Sequence, residues 1–287
     1  MTFTLGCDPE IFVKKNGKPI AICETSLPGD KKEPFKTTYG AVQQDGAAAE
    51  FNTDPVPAGD FEGFNQNIVR TIADLRGLAG DVTLAKGVTV MDFSPEYMAA
   101  LPDTAKELGC DPDYNAYTLL PNPRPDGERP FRTAAGHVHV GWGADIPVDN
   151  SEHMEICASF VKMMDATVGM YMTFIDREPR RRELYGKAGA FRPKSYGVEY
   201  RTPSNAWIWN RPRRALFHFF TNLAIGKMKY GNTPEQAAKI SENEIANIIN
   251  TGNWKSAVVV IDNSYSIPSS LRSAWQGIKE EMEKVHA

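Results

Sequence analysis

Cysteine is scarce in this chain. There are four in 287 residues, Cys7, Cys23, Cys110 and Cys157, and no two stand in a CxxC pair. That spacing excludes a zinc knuckle and a disulfide framework, and it fits a reducing, cytoplasmic compartment. No run of about 18 apolar residues is present to span a bilayer. The opening MTFTLGCDPE lacks the basic-then-apolar order of a signal peptide, so a cytoplasmic protein is expected. No GxxxxGK[ST] loop occurs, which excludes a P-loop nucleotide site. There is no internal repeat and no low-complexity linker. One domain over 1–287 is therefore expected, with the C-terminal helices of 211–287 packed on it. The net charge of −4 gives no reason to expect general nucleic-acid binding.

What is present is a soluble, globular composition, 41% hydrophobic and 24% charged. Within it the positive charge is uneven, for nine of the fifteen arginines lie between Arg177 and Arg214. Such a block in an acidic protein suggests a local polyanion such as nucleotide phosphates; a solvated basic loop around Arg180-Arg181-Arg182 is the plainer alternative.

The most informative stretch is Gly136-His-Val-His-Val-Gly141. In a strand, His137 and His139 share one face while Val138 and Val140 share the other, and the flanking glycines leave room for a ligand or another strand. Two further segments repeat the i, i+2 pattern: Asp8 with Glu10, and Glu199 with Arg201. In VQQDGAAAEFN, from Val42 to Asn52, Glu50 and Asn52 share a face. Asp45 joins them if Gly46 marks a bulge; a plain hairpin with an exposed Asp-Gly turn is the alternative.

The remaining elements follow from periodicity and caps. A strand over 3–14 turns at Asn16-Gly17 into a partner from Pro19 to Cys23. Residues 24–40 read as a loop, Phe61–Leu78 as a helix stopped near Gly80, and Val82–Phe93 as a strand. Ser94-Pro95-Glu96 opens a helix. A loop-like stretch from Leu108 to Arg132, containing GCDPDYNAYT, leads into the histidine strand. Ser151–Ile175 is apolar on nearly every side, which marks a buried helix behind the sheet. Helices over Pro212–Lys229, Pro234–Asn250 and Ser269–Lys284 close the chain.

Collected, Asp8, Glu10, Asp45, Glu50, one or both histidines, Glu199 and Arg201 make a candidate site rich in carboxylates. Hard cations such as Mg²⁺ or Mn²⁺ favour these oxygens over the nitrogen-rich set of a hydrolytic zinc site. With arginines nearby, several such ions point to phosphoryl transfer. A metal-dependent hydrolase using the HxH pair is the enzymatic alternative, and a catalytically inactive binding protein the other.

In order, Leu5-Gly-Cys-Asp-Pro-Glu10, Asp45-Gly46…Glu50-Phe51-Asn52, GCDPDYNAYT, GHVHVG and YGKAGAFRPKSYGVEYRTPSN resemble the phage carboxylate–amine (COOH–NH2) ligase type 2 family. That family sits within the glutamine synthetase and glutamate–cysteine ligase superfamily. The resemblance spans roughly residues 3–210. It implies an α+β fold, a curved, mostly antiparallel sheet with helices on its convex face and ATP and divalent metals on the concave one. It implies ATP-dependent amide formation through an acyl phosphate, with two or three Mg²⁺ or Mn²⁺ ions. By motif, Glu10, Glu50, His137 and Glu199 match metal positions and Asp8 and Asp45 are further ligands. Arg201 matches the phosphate-stabilising arginine, His139 lies near the nucleotide phosphates, and Arg192 and Lys187 contact phosphate or substrate carboxylate. Small-molecule or peptide carboxylates and amines are the implied partners. No membrane is expected, and an oligomer is open because one branch of the superfamily forms rings.

Overall fold

The histidine strand forms as read, and the sheet is assembled around it. In the computed structural model, which describes residues 2–106, 113–123, 129, 131–143 and 145–284, nine strands make the main sheet. They are β1 (Thr4–Ile11), β2 (Phe35–Lys36), β3 (Gly40–Asp45), β4 (Ala48–Thr53), β5 (Val56–Pro57), β6 (Tyr114–Asn115), β7 (Gly136–Gly141), β8 (Ala190–Lys194) and β9 (Gly197–Tyr200). Their order is β6-β8-β9-β7-β1-β4-β3-β2, with β5 pairing β1. Every pairing in it is antiparallel.

Alternation divides the sheet into two faces. Leu5, Cys7, Val138, Val140, Val198 and Tyr200 point back and are buried in one continuous core. Asp8, Glu10, His137, His139 and Glu199, one residue out of phase with them, point forward. The back is covered by helices. α1 (Phe61–Leu78), capped by the Asp60 carboxylate accepting from Gly63 N–H, buries Phe64, Ile68, Thr71 and Leu75. The apolar helix runs as α2 (Ser151–Met164), one turn of π-helix (Asp165–Gly169) and α3 (Met170–Ile175). α4 (Arg211–Lys229) follows, and the C-terminal helices add Ile245, Ile261, Trp275 and Ile278 to the same core. The result is a mixed fold of helices on an antiparallel sheet.

The π-turn carries Asp165, fully buried, which the sequence reading passed over. Its carboxylate accepts hydrogen bonds from Tyr200 Oη (2.6 Å), Tyr117 Oη (3.0 Å) and Gly189 N–H (2.6 Å). Burial pushes its pKa up to about 7 despite these donors.

Several boundaries differ from the expected ones. Val82–Phe93 is not one strand: Thr83–Leu84 pairs with Val13–Lys15, Val90–Asp92 pairs with Phe131–Thr133, and Gly87, at a φ of 73°, turns between them. Pro234–Asn250 is two helices, α5 (Pro234–Ala238) and α6 (Glu242–Thr251). Lys239 in the left-handed region and a Ser241–Glu244 capping box separate them. A further helix, α7 (Trp254–Ser264), is present where none was read, ahead of α8 (Ser269–Lys284). Gly46 marks no bulge. It turns a hairpin in which Asp45 pairs with Ala48 and Gln43 with Glu50. That register puts Asp45 on the same face as Glu50 without any bulge. Of the GCDPDYNAYT stretch, residues up to 112 lie outside the described chain.

The glycines flanking the histidines make way for chain, not ligand. A Cβ on Gly136 would lie 2.3 Å from Ser204 O and 2.8 Å from Trp207 Nε1. Both partners are fixed: the indole donates to Gly136 O at 3.0 Å, and Gly136 N–H donates to Pro203 O at 2.9 Å. Gly136→Ala should therefore destabilise the protein by about 1–3 kcal/mol, the usual range for overpacking. The expected readout is a lower urea midpoint at unchanged slope. An unchanged midpoint would mean that the 203–207 segment yields freely.

Candidate active site

Strand register alone sets the order of charges across the front face. Arg192 on β8 pairs with Glu199 on β9, Glu199 with His139 on β7, Asp8 on β1 with His137, and Glu10 with Glu50 on β4. Residues directly opposite in antiparallel strands have Cβ atoms about 5 Å apart, so this diagonal row is one contiguous surface. All of the row but His139 lines a cavity of ≈330 Å³ that also takes in Lys31, Asp45, Tyr185, Lys194 and Arg201.

The two ends of the cavity differ in sign. At the β8–β9 end, Glu199 is buried and is approached by Arg201, by Lys194 Nζ at 3.0 Å and by Arg192 Nη1 at 3.3 Å. Arg201 Nε also lies 3.6 Å from Asp113. Burial alone would raise the Glu199 pKa; Arg201 and the imidazoles outweigh it and hold the group below the usual carboxylate range. At the β1–β4–β3 end stand Glu10, Asp45 and Glu50. Burial, with Asp45 next, pushes Glu10 up to about 7 against the hydrogen bond that its Oε2 accepts from Ala135 N–H. Burial, Asp8 and Asp45 together push Glu50 well above its ordinary value. Gln43 donates to Glu50 at 3.1 Å, and Lys31 reaches Asp45 at 2.7 Å.

Between the ends sit Asp8 and the two histidines. His139 Nε2 is 3.1 Å from Asp8, and its Nδ1 is 2.6 Å from Tyr196 Oη. His137 Nδ1 lies 3.5 Å from both Asp8 and Glu199. Burial would raise the Asp8 pKa, yet the imidazoles of His139 and His137 outweigh it and hold the group well below normal. Burial and Arg201 lower His137, whereas Asp8 overcomes burial and raises His139.

Two groups of donors converge closely enough to hold a cation: Asp8, His139 and Glu199, and Glu10, Asp45 and Glu50, each with ligand atoms within 4.8 Å of one another. The donor chemistry fits hard divalent ions, since five of the six are carboxylates. Asp8 Oδ1 adds a specific sign. It is buried, and it makes no hydrogen bond closer than the 3.5 Å approach of His137 Nδ1, an arrangement a positive ligand would relieve.

Most of the residues singled out in the sequence meet here: Asp8, Glu10, Asp45, Glu50, His137, His139, Glu199, Arg192 and Arg201 all belong to this face. Of the two histidines, His139 joins the donor triplet with Asp8 and Glu199, while His137 lines the cavity with its Nδ1 3.5 Å from both carboxylates. Lys187 does not join: it is exposed and outside the cavity lining, and its carbonyl accepts from Thr202 Oγ1 at 2.9 Å and from Ala190 N–H at 3.4 Å. Lys194 was missed, although it shares the Arg192 face two residues on. Lys31 was missed because nothing local ties its loop to the sheet.

A helix-backed antiparallel sheet with an ionic cleft, cationic at one end and acidic at the other, is the class that this geometry defines. Within it, residues 129–241 match the family described as Phage phiEco32-like COOH.NH2 ligase-type 2. This is the family that the sequence motifs resemble, and the matched segment carries β7, β8 and β9 with His137, His139, Arg192, Lys194, Glu199 and Arg201. The acidic strands β1, β3 and β4 precede it. No curated protein matches the chain. Among the described residues, no helix is long and apolar enough to cross a membrane.

Mn²⁺ titration followed by electron paramagnetic resonance tests the donor set. Glu10→Gln with Glu50→Gln should weaken binding by at least the roughly 10–100-fold that loss of an outer partner costs. The cation competes with protons on these carboxylates, so affinity should rise with pH through the neutral range in which Glu10 ionises. Equal affinity at pH 5.5 and 8 in wild type and variant would place the ion elsewhere.

Proposed function

We propose that this protein is an ATP-dependent carboxylate–amine ligase, forming an amide bond through an acyl phosphate and releasing ADP and phosphate. The observation that carries the reading is the polarity of the cleft, with three cationic side chains converging on Glu199 at one end and three carboxylates at the other. Polyphosphate and carboxylate substrates suit the first end, and an incoming ammonium group suits the second. The ligase description of the matched family supports the same reading.

In this mechanism the side chains act mainly by placement and charge. Arg201, held from below by Glu199 and flanked by Asp113, presents its guanidinium to the phosphoryl group in transfer. Arg192 and Lys194 balance the remaining charge on phosphate and carboxylate oxygens. Asp8, His139 and Glu199, and Glu10, Asp45 and Glu50, are the residues that would hold Mg²⁺ or Mn²⁺. Such ions supply Lewis-acid neutralisation of phosphate charge. A carboxylate of the acidic end that is not engaged by an ion would accept the proton from the attacking ammonium. Tyr185 and Phe12 line the cavity as its apolar and aromatic wall.

A phosphate-release screen with Mg²⁺–ATP against paired amino acids and peptides tests the reading, with product mass identifying the bond made. Turnover is expected only when carboxylate and amine are both present. In any pair that reacts, Arg201→Lys should lower kcat by about 10²–10³-fold, the usual loss for one preorganised donor to developing charge. Glu199→Gln should abolish ADP formation. ADP release by Glu199→Gln at the wild-type rate would remove this cleft from the reaction.

A further inference from the structure

Directly behind the cleft, on the core side of the sheet, lies a buried polar cluster that the mechanism does not use. Asp165 sits in the single π-turn of the long helix, and such turns concentrate at functional positions. A buried carboxylate is expensive, and an apolar residue would fill a purely structural position at lower free energy. The partners of this carboxylate give it a purpose.

Three chain segments meet at Asp165. The first is 113–117: Tyr117 donates its hydroxyl at 3.0 Å, and four residues earlier Asp113 faces Arg201. The second is 187–192. Gly189 N–H donates at 2.6 Å, its carbonyl accepts from Ala116 N–H at 2.8 Å, and β8 continues from there to Arg192. The third is 199–202. Tyr200 donates at 2.6 Å, and the Thr202 hydroxyl lies 3.5 Å away, bonded to Lys187 O. The second and third segments are also joined directly, Arg201 N–H donating to Ala190 O at 2.9 Å. Gly189 has a φ of 76°, and a Cβ there would lie 2.7 Å from the Tyr117 ring, so the junction tolerates no side chain at that point.

We infer that Asp165 is a positioning residue for the cleft: from the core side its carboxylate ties together the backbones that present Arg201, Arg192 and Asp113. It touches no substrate. Tyr200 lies between Glu199 and Arg201 in sequence and points to the opposite face, so its bond to Asp165 fixes the orientation of both neighbours. The inference deepens the ligase reading and rests on it for its kinetic arm only.

The test compares wild type with Asp165→Asn, which keeps the volume but turns one acceptor into a donor facing donors. The Nε–Hε nuclear resonance of Arg201, assigned with Arg201→Lys, reports guanidinium placement without any turnover. It should shift or broaden in Asp165→Asn at a temperature where circular dichroism shows both proteins folded. In the ligase assay, kcat should fall about 10–100-fold, in keeping with a misplacement of 1 Å or less, while KM for ATP stays within about twofold. Should Asp165→Asn fail to fold, Tyr200→Phe removes one donor from the same carboxylate and is read identically. A lower melting temperature with the resonance unmoved overturns the proposal. A moved resonance in a protein that turns over no ATP upholds it and overturns the ligase reading instead.

Discussion

The cleft depends on how one buried carboxylate is neutralised. Glu199 is almost inaccessible to water, and an isolated ion there would be too costly to retain. Arg201, Lys194 and Arg192 surround it on one side and the imidazoles on the other. Arg201 is shared with Asp113, and Asp8 stands beside the imidazoles, so Glu199 is held in a network and not in a one-to-one ion pair. The same network that makes Glu199 tolerable brings Arg201, Lys194 and Arg192 together at this end of the cleft.

That arrangement follows from register. β1 and β7 are separated by more than a hundred residues, yet their pairing sets Asp8 opposite His137, and β7 with β9 sets His139 opposite Glu199. A slip of one residue in either pairing would send every forward group into the core. The apolar residues prevent it: Val138, Val140, Val198, Leu5 and Cys7 have burial to lose in the shifted register. Burial at roughly 1.5–3 kcal/mol for each large aliphatic side chain thus fixes the geometry of polar groups that contribute little to stability themselves.

Much of this was legible because period-two alternation is a local signal. GHVHVG, the Asp8–Glu10 pair and the Glu199–Arg201 pair each show their shared face in five or six residues. The Phe61–Leu78 helix and the Asn16-Gly17 turn were equally plain, the latter with both residues at positive φ. What failed depended on distant contacts or on competing local cues. Lys31 is brought to Asp45 by a loop whose path no periodicity encodes. The β-branched run Val258-Val259-Val260-Ile261 hid α7, although Asn253 caps it by accepting from Ser256 N–H. Gly87 and Lys239 broke elements whose apolar pattern ran on through them. Lys187 was expected with Arg192 as a phosphate or carboxylate contact, but it lies exposed between Gly186 and Gly189, both at positive φ. Asp165, one of three acids in a largely apolar helix, gave no indication of the three segments that converge on it.

The two faces of the sheet are coupled through β9. Glu199, Tyr200 and Arg201 are consecutive and alternate front, back, front. The forward pair carries the ionic network, and the residue between them carries the bond to Asp165. In a strand the orientation of one side chain fixes that of its neighbours to within the pleat. A change in the packing of Tyr200 against the π-turn is then transmitted to Glu199 and Arg201 without any loop motion. The polar cluster in the core is best understood as part of the cleft's construction, since the strand connecting them is too short to bend between the two.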